Sequence, residues 1–220
     1  MHNTVLNLLK ISKEVKKKFE SNTNLIKSPE IIAVSKTFGL DHILPSIQHG
    51  HIHYGENKVQ EAVQKWTEIK KEKPHLKLHL VGRLQTNKVK MALKLFDYIH
   101  SLDSKKLADR ICRIQQELEI NKKLCIQVNI GNENQKSGVE IKNLTNLVNY
   151  CKDLGLNIIG LMCIPPIDTA SSDYFKKMVE LNETYNFEEL SMGMSSDFLE
   201  ASQNNATFVR IGSNIFGQRS

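Results

Sequence analysis

No stretch of this chain approaches the roughly 20 consecutive apolar residues that a membrane-crossing helix needs. Its opening residues, Met1 to Lys10, also lack the basic-then-apolar order of a secretion signal. A cytoplasmic protein with no membrane segment is expected. Aromatic residues are few, at 6% of 220 positions, and no basic-aromatic platform is present, so nucleic-acid binding lacks its stacking surface. The four cysteines, Cys112, Cys125, Cys151 and Cys163, form no Cys-x-x-Cys pair and have no His-x-x-x-His partner. Zinc and disulfide frameworks are therefore unsupported, and reduced, mostly buried thiols are expected. No Gly-x-Gly-x-x-Gly follows the first apolar run, and no repeat, low-complexity tract or Pro/Gly-rich linker divides residues 1–220, which read as one domain.

What is present begins with a 40% hydrophobic content, enough for a sizeable core. The net charge of +6 is spread among interspersed lysines and glutamates, as in Glu68-Ile69-Lys70-Lys71-Glu72-Lys73, the pattern of solvated helix faces. A moderate positive field of this kind suits a small anionic ligand such as a phosphate ester.

Apolar, strand-like runs alternate with helical ones in eight beats. The strand candidates are 31–36, 51–56, 76–82, 98–103, 123–130, 157–164, 189–194 and 207–212. Helical composition follows most of them, at Asn57 to Lys71, Ser104 to Glu119, Lys142 to Leu154 and Ser171 to Asn182. Repeated strand-then-helix units imply parallel strands with helical crossovers, and eight units in 220 residues fit a (β/α)8 barrel better than an open doubly wound sheet. Little chain is left for an eighth helix. An amphipathic opening helix within residues 1–24, using Val5, Leu8, Leu9, Val15 and Phe19, is expected to cover the wall beside the closing strand.

In such a barrel the chemistry gathers at the carboxyl ends of the strands, with phosphate often held after strands seven and eight. Strand one delivers Lys36, strand two Tyr54-Gly55-Glu56-Asn57, and strand three Gly82-Arg83-Leu84-Gln85-Thr86-Asn87. Strand seven delivers Met192-Gly193-Met194-Ser195-Ser196, and strand eight Arg210-Ile211-Gly212-Ser213-Asn214. The last two clusters have the glycines and hydroxyls of a phosphate cradle, with helix starts expected at Asp197 and Asn214. A lysine and a phosphate cradle facing one mouth suggest pyridoxal 5′-phosphate (PLP), whose aldehyde forms a Schiff base with an amine. An inward Arg210 would then meet the pyridine nitrogen and keep it unprotonated, since arginine is effectively never neutral. That makes the ring a weak electron sink, suited to racemase-like chemistry or to binding alone.

Seven ordered stretches resemble the pyridoxal phosphate homeostasis proteins, of the bacterial YggS type and the eukaryotic proline synthetase co-transcribed homologue. They are Ala33-Val34-Ser35-Lys36-Thr37; Gly55-Glu56-Asn57 with Val59-Gln60-Glu61; Gly82 with Leu84-Gln85 and Asn87-Lys88; and Val128-Asn129-Ile130 leading to Lys136-Ser137-Gly138. Gly160-Leu161-Met162, Leu190 to Ser195 with Asp197, and Val209-Arg210-Ile211-Gly212 with Ile215-Phe216-Gly217 and Arg219 complete the series. The resemblance implies a barrel like the N-terminal domain of alanine racemase. It also implies Lys36 as the Schiff-base lysine, Asn57 lining the cofactor, Ser195, Gly212 and Ser213 holding the phosphate, and Arg210 at the ring nitrogen. Many members carry threonine where this chain has Ser213, and an aromatic residue where it has Lys58.

Lys136, in the polar loop from Asn132 to Gly138, is either a solvated loop lysine or a second amine that guides the aldehyde during transfer. His51 and His53 share an alternate-residue face of strand two, and are expected to pack in the barrel or hydrogen-bond at its foot rather than bind metal. Racemisation would want a second base opposite the lysine. The chain stops soon after the eighth strand, so the extra domain that supplies alanine racemase with a tyrosine is expected to be missing. Tyr54 or Lys136 would have to substitute. A phosphate-sugar enzyme on the same barrel would need paired carboxylates, for which only Glu56 and Asp103 offer themselves. The reading is a monomeric PLP carrier or regulator that passes cofactor to apo PLP-dependent enzymes, with an amino-acid racemase as the alternative.

Overall fold

The structure is a computed structural model that describes residues 1–21, 25, 27–133, 135–166 and 170–218. Residues 22–24 of the opening segment, Asn134 of the polar loop and Arg219 of the closing motif lie outside the described residues.

All eight expected strands form, each a little shorter than its apolar run. They are β1 (Glu30–Val34), β2 (His53–Glu56), β3 (Lys77–Leu80), β4 (Tyr98–Leu102), β5 (Lys123–Asn129), β7 (Ile158–Cys163), β8 (Glu189–Ser191) and β9 (Phe208–Ile211). A two-residue strand, β6 (Val139–Glu140), hangs on the end of β5 and has no counterpart in the sequence pattern. Every pairing is parallel. Neighbours run β4-β3-β2-β1-β9-β8-β7-β5, and a further β4–β5 pairing closes the sheet into a (β/α)8 barrel. The strand expected over 189–194 stops at Ser191 because Gly193 takes φ +86°, a left-handed turn that a ladder does not tolerate.

The helices bury one stripe each. In α5 (Lys105–Leu118) the buried residues Leu107, Ala108, Ile111, Cys112, Ile114 and Gln115 recur at helical spacing. Between β2 and β3, α3 (Val59–Glu72) seats Trp66 with no exposed surface. Two apolar clusters separate the walls of the barrel. Ile31 and Ala33 of β1 pack outward with the helices, whereas Ile32 and Val34 join Tyr98 and Phe208 in a small inner cluster. Inward positions on β1 are thus 32 and 34, and Lys36 continues that alternation.

The opening helix α1 (Asn3–Glu20) packs against α2 (Leu40–Gln48), α8 (Phe198–Ser202) and α9 (Ser213–Phe216), which places it beside the closing strand as the sequence pattern implies. Its buried stripe is Thr4, Val5, Leu8, Ile11 and Val15. Leu9, expected in that stripe, is 42% exposed, because a 3.6-residue period from Leu8 selects Ile11 and leaves position 9 on the shoulder. No described helix is long and apolar enough to cross a membrane.

Candidate functional site

Lys36 stands in the turn just after β1, and that turn is fastened on both sides of it. The Ser35 carbonyl accepts from Lys65 Nζ at 2.9 Å, and the Thr37 N–H donates to Glu61 Oε1 at 2.7 Å. Thr37 sits at φ +69°, an uncommon conformation for a β-branched residue, held there by this acceptor. Lys65 also contacts Glu61 at 3.1 Å and Glu56 at 2.9 Å. Glu56 Oε1 collects the Ser35 hydroxyl and the Trp66 indole N–H as well, at 2.8 and 2.9 Å. Burial alone would raise the Glu61 carboxyl, but the Thr37 N–H and the Lys65 ammonium bring it below its ordinary value. The lysine turn therefore hangs from α3 by a buried charged network.

Neighbouring strands bring the other expected residues to the same rim. Register pairs Val34 with Gly55 on one side and Ala33 with Ile211 on the other. Lys36, Asn57 and Asn214 each follow the end of one of these three adjacent strands. Asn57 Oδ1 is buried and has no hydrogen-bond partner among the described residues. The backbone of Asn57 lies so close to Gly82 that a Cβ there would fall 2.2 Å from its carbonyl oxygen, which explains the glycine at the end of β3. Across the rim, Ser195 Oγ accepts from the Gly212 N–H at 3.3 Å, and the Asn214 side-chain amide donates to the Ser195 carbonyl at 2.9 Å. The clusters after β8 and β9 thus form one unit. The last helix begins at Ser213 rather than Asn214, so the Ser213 and Asn214 N–H groups have no acceptor within it.

Arg210 points into the barrel and is 4% exposed. Its Nη1 donates to Ser191 Oγ at 2.8 Å and its Nη2 to the Cys163 carbonyl at 2.7 Å. No carboxylate pairs with it among the described residues. Two of its five donors are thereby used.

Other expectations are corrected. Tyr54 and Glu56 face the helices: the Tyr54 hydroxyl bonds Ser46 Oγ at 2.9 Å, its ring meets Trp66, and Glu56 is spent in the network above. Neither reaches the mouth as a second base or a member of a carboxylate dyad. His51 and His53 do not share a face, because β2 starts at His53 and the His51 ring packs edge-on to Tyr54. His53 enters the barrel and His51 stays outside its inner layer. Lys136 Nζ is half-buried, donating to the Pro165 carbonyl at 3.1 Å and pairing with Glu133 at 2.6 Å. That tie to the loop after β7 replaces the solvated lysine of the sequence reading. Cys112, Cys125, Cys151 and Cys163 are free and buried, and burial pushes the Cys151 and Cys163 thiols up to about 12. No group of three or more described His, Cys, Asp or Glu residues is arranged to hold a metal ion.

Sequence reasoning assigned no role to Lys65, Glu61, Ser191 or the Cys163 carbonyl. Glu61 and Lys65, four apart at the start of a helix, carried a readable signal. Ser191 carried less: only its place two residues before Gly193, on one strand face, marks it.

No family model matches the chain. The chain is 40% identical over 200 residues to a pyridoxal phosphate homeostasis protein of Aquifex aeolicus, covering 86% of this chain and 87% of that one. Among solved structures it resembles PipY of Synechococcus elongatus with PLP bound, at 34% identity and a TM-score of 0.80, covering 92% of this chain and all of the other. An alanine racemase of Clostridium difficile, at 14% identity and a TM-score of 0.74, spans 98% of this chain with 56% of its own length and shares the fold.

Proposed function

Since the chain belongs to the pyridoxal phosphate homeostasis protein family, we propose that it holds PLP on Lys36 and releases or delivers it, governing the free cofactor without robust turnover of its own. The observation that carries this reading is a turn-mounted lysine and an anion cradle at one rim of a barrel whose interior holds an arginine paired with no carboxylate among the described residues. When bound, the cofactor would supply an aldehyde that condenses reversibly with the Lys36 amine, releasing water. The residues present fit that group. Asn57 offers a buried acceptor that nothing among the described residues satisfies, and Arg210 retains three donors. Ser195, Gly212 and Ser213 supply hydroxyls and backbone N–H groups for a phosphate.

Arg210 sets the character of the site. A guanidinium donates and does not release its proton, so with PLP bound Arg210 would keep the ring nitrogen unprotonated and the ring a weak electron sink. That favours racemase-like chemistry or binding alone over transamination. Residues 1–220 act in this reading as one cytoplasmic, monomeric domain, with apo PLP-dependent enzymes as recipients.

Borohydride reduction of the PLP-loaded protein, followed by peptide mass mapping, tests the anchor. A pyridoxyl adduct on the peptide of Lys36, absent in Lys36→Ala, is expected. Amino-acid racemase assays on the same preparation should give no robust turnover, and an adduct elsewhere or steady racemisation would reject the reading.

A further inference from the structure

Three imidazoles stand in series inside the barrel. His53 Nδ1 lies 2.9 Å from His79 Nε2, His79 Nδ1 lies 2.9 Å from His100 Nε2, and His100 Nδ1 lies 2.9 Å from Ser191 Oγ. Ser191 is the residue that accepts from Arg210. His79, His100 and Ser191 are fully buried, and His53 and Arg210 nearly so. Tyr98 stacks on His79 at 4.2 Å, and Phe208 packs against all three imidazoles, edge-on to His79 and His100, so the series is flanked by aromatic rings.

Arg210 fixes the direction of every hydrogen bond in the series. It can only donate, so the Ser191 oxygen accepts from it. The buried Ser191 hydroxyl proton has one acceptor among the described contacts, His100 Nδ1. His100 must then carry its proton on Nε2 and give it to His79 Nδ1, and His79 must do likewise to His53 Nδ1. A charged imidazole, with two donors and no acceptor, cannot occupy the middle of the series. Burial enforces neutrality: it lowers His79 well below the ordinary value, and burial followed by the charge of Arg210 lowers His100 to about 3. The aligned dipoles turn their negative ends toward the guanidinium, solvating a buried cation that pairs directly with no carboxylate among the described residues, Asp197 acting on it only from a distance.

We propose that this string holds Arg210 charged and inward without a carboxylate, making Ser191 and His100 positioning residues for the cofactor's ring nitrogen. The role toward the ring rests on the reading of PLP on Lys36 given above. A carboxylate would have done the same electrostatic work while offering a competing partner for the arginine's donors; a neutral string leaves three of them to the ligand. The string is also no proton conduit to the ring, because its last member does not release a proton.

Nitrogen-15 histidine NMR of the wild-type protein without cofactor tests the string itself. His53, His79 and His100 are expected as neutral Nε2–H tautomers at pH 7, with His79 and His100 still neutral near pH 5. A proton on Nδ1 of His100, or a charged imidazole among the three at pH 7, overturns the proposal. With PLP loaded, Ser191→Ala and His100→Leu are expected to shift the absorption band of the bound cofactor and weaken its binding about tenfold. His100→Asn, whose Oδ1 stands in for Nδ1 as the acceptor of the Ser191 hydroxyl, should lie near wild type. An unchanged band and affinity in both disruptive variants, with the pyridoxyl adduct still on Lys36, would end the positioning role and leave the cofactor reading intact. Loss of the Lys36 adduct in the wild type removes the cofactor reading and the role toward the ring together, while the tautomers decide the string.

Discussion

Arg210 donates to the Ser191 hydroxyl at 2.8 Å in the barrel interior, and no carboxylate pairs with it among the described residues. A buried cation in that state costs the fold more than it returns. Burial lowers its pKa, although the guanidinium stays charged at any ordinary pH. Arg210→Met should therefore leave the denaturation midpoint of the cofactor-free protein unchanged or higher, within about 1 kcal/mol. The same substitution should weaken PLP binding about tenfold or more. Urea unfolding followed by the fluorescence of the single Trp66, with a parallel PLP titration, gives both numbers. A large loss of stability without loss of affinity would make Arg210 a structural residue.

The network that fastens the lysine turn has a different signature. Lys65 is 10% exposed and bridges Glu61 and the fully buried Glu56. Lys65→Met strands the Glu56 carboxylate, at a cost of about 3–5 kcal/mol. Adding Glu56→Gln removes the stranded charge, so the double variant should recover a substantial part of that loss. Chemical denaturation across the double-mutant cycle measures the coupling.

Glu61→Gln isolates the backbone of the turn. It keeps an oxygen for the Thr37 N–H while discarding the charge, so Thr37 should hold its left-handed conformation and PLP affinity should change only a few-fold. Glu61→Ala removes the acceptor and frees the turn beside Lys36. Its affinity should fall further, with a stability loss of about 1–2 kcal/mol. Equal affinities for the two variants would show that the fastening does not govern the lysine.

How far the sequence disclosed all this depends on the kind of signal each feature leaves. Parallel strands buried on both sides appear as apolar runs, so all eight were legible, and β6 was not because two residues make no run. The rim positions of Lys36, Asn57 and the Ser195 and Gly212 clusters were legible from their places at strand ends. Their partners were not. Strand parity decides which side a residue faces: with His53 inward, Tyr54 and Glu56 must face the helices. A strand-end rule alone counts all of Tyr54 to Asn57 toward the mouth. The histidine series was invisible because its members come from β2, β3 and β4, and only barrel closure aligns them with Ser191 of β8.

The same histidines predict how stability depends on pH. His100 has a folded pKa lowered from 6.5 to about 3 by burial and then by Arg210. His79 faces His100, His53, His51 and Lys70 and is lowered too, while His53 is lowered by burial against the opposing influence of Glu30 and Glu189, with Lys77 and Lys27 nearby. Above about pH 6.5 both folded and unfolded states are neutral and no penalty exists. As pH falls below that value the unfolded chain binds protons that the folded chain refuses, so stability decreases until the folded pKa is reached. Near pH 5, His100 alone accounts for about 2 kcal/mol. Urea midpoints at pH 7.5 and 5 should fall accordingly, and His100→Asn should flatten the slope. A wild-type midpoint that does not move between these values would contradict the burial of neutral imidazoles.

The opening helix offers a test of register at two adjacent residues. Leu8 is 4% exposed and packs within the main core, whereas Leu9 is 42% exposed. Asn7, just before them, donates through its side chain to the Ile215 carbonyl at 3.0 Å, tying α1 to the short helix that follows β9. Leu8→Ala should therefore cost about 2–5 kcal/mol, the range for deleting a buried leucine side chain. Leu9→Ala touches an exposed position in a helix that favours alanine, and should stay within about 0.5 kcal/mol of wild type. Because α9 carries the Ser213 and Asn214 N–H groups on its first turn, Leu8→Ala should also weaken PLP binding under conditions where the protein remains folded. Comparable losses from the two substitutions would mean that the helix is rotated so that Leu9 is buried as Leu8 is; a stability loss confined to Leu8 with unchanged affinity would mean that α1 supports the fold without steadying the cradle.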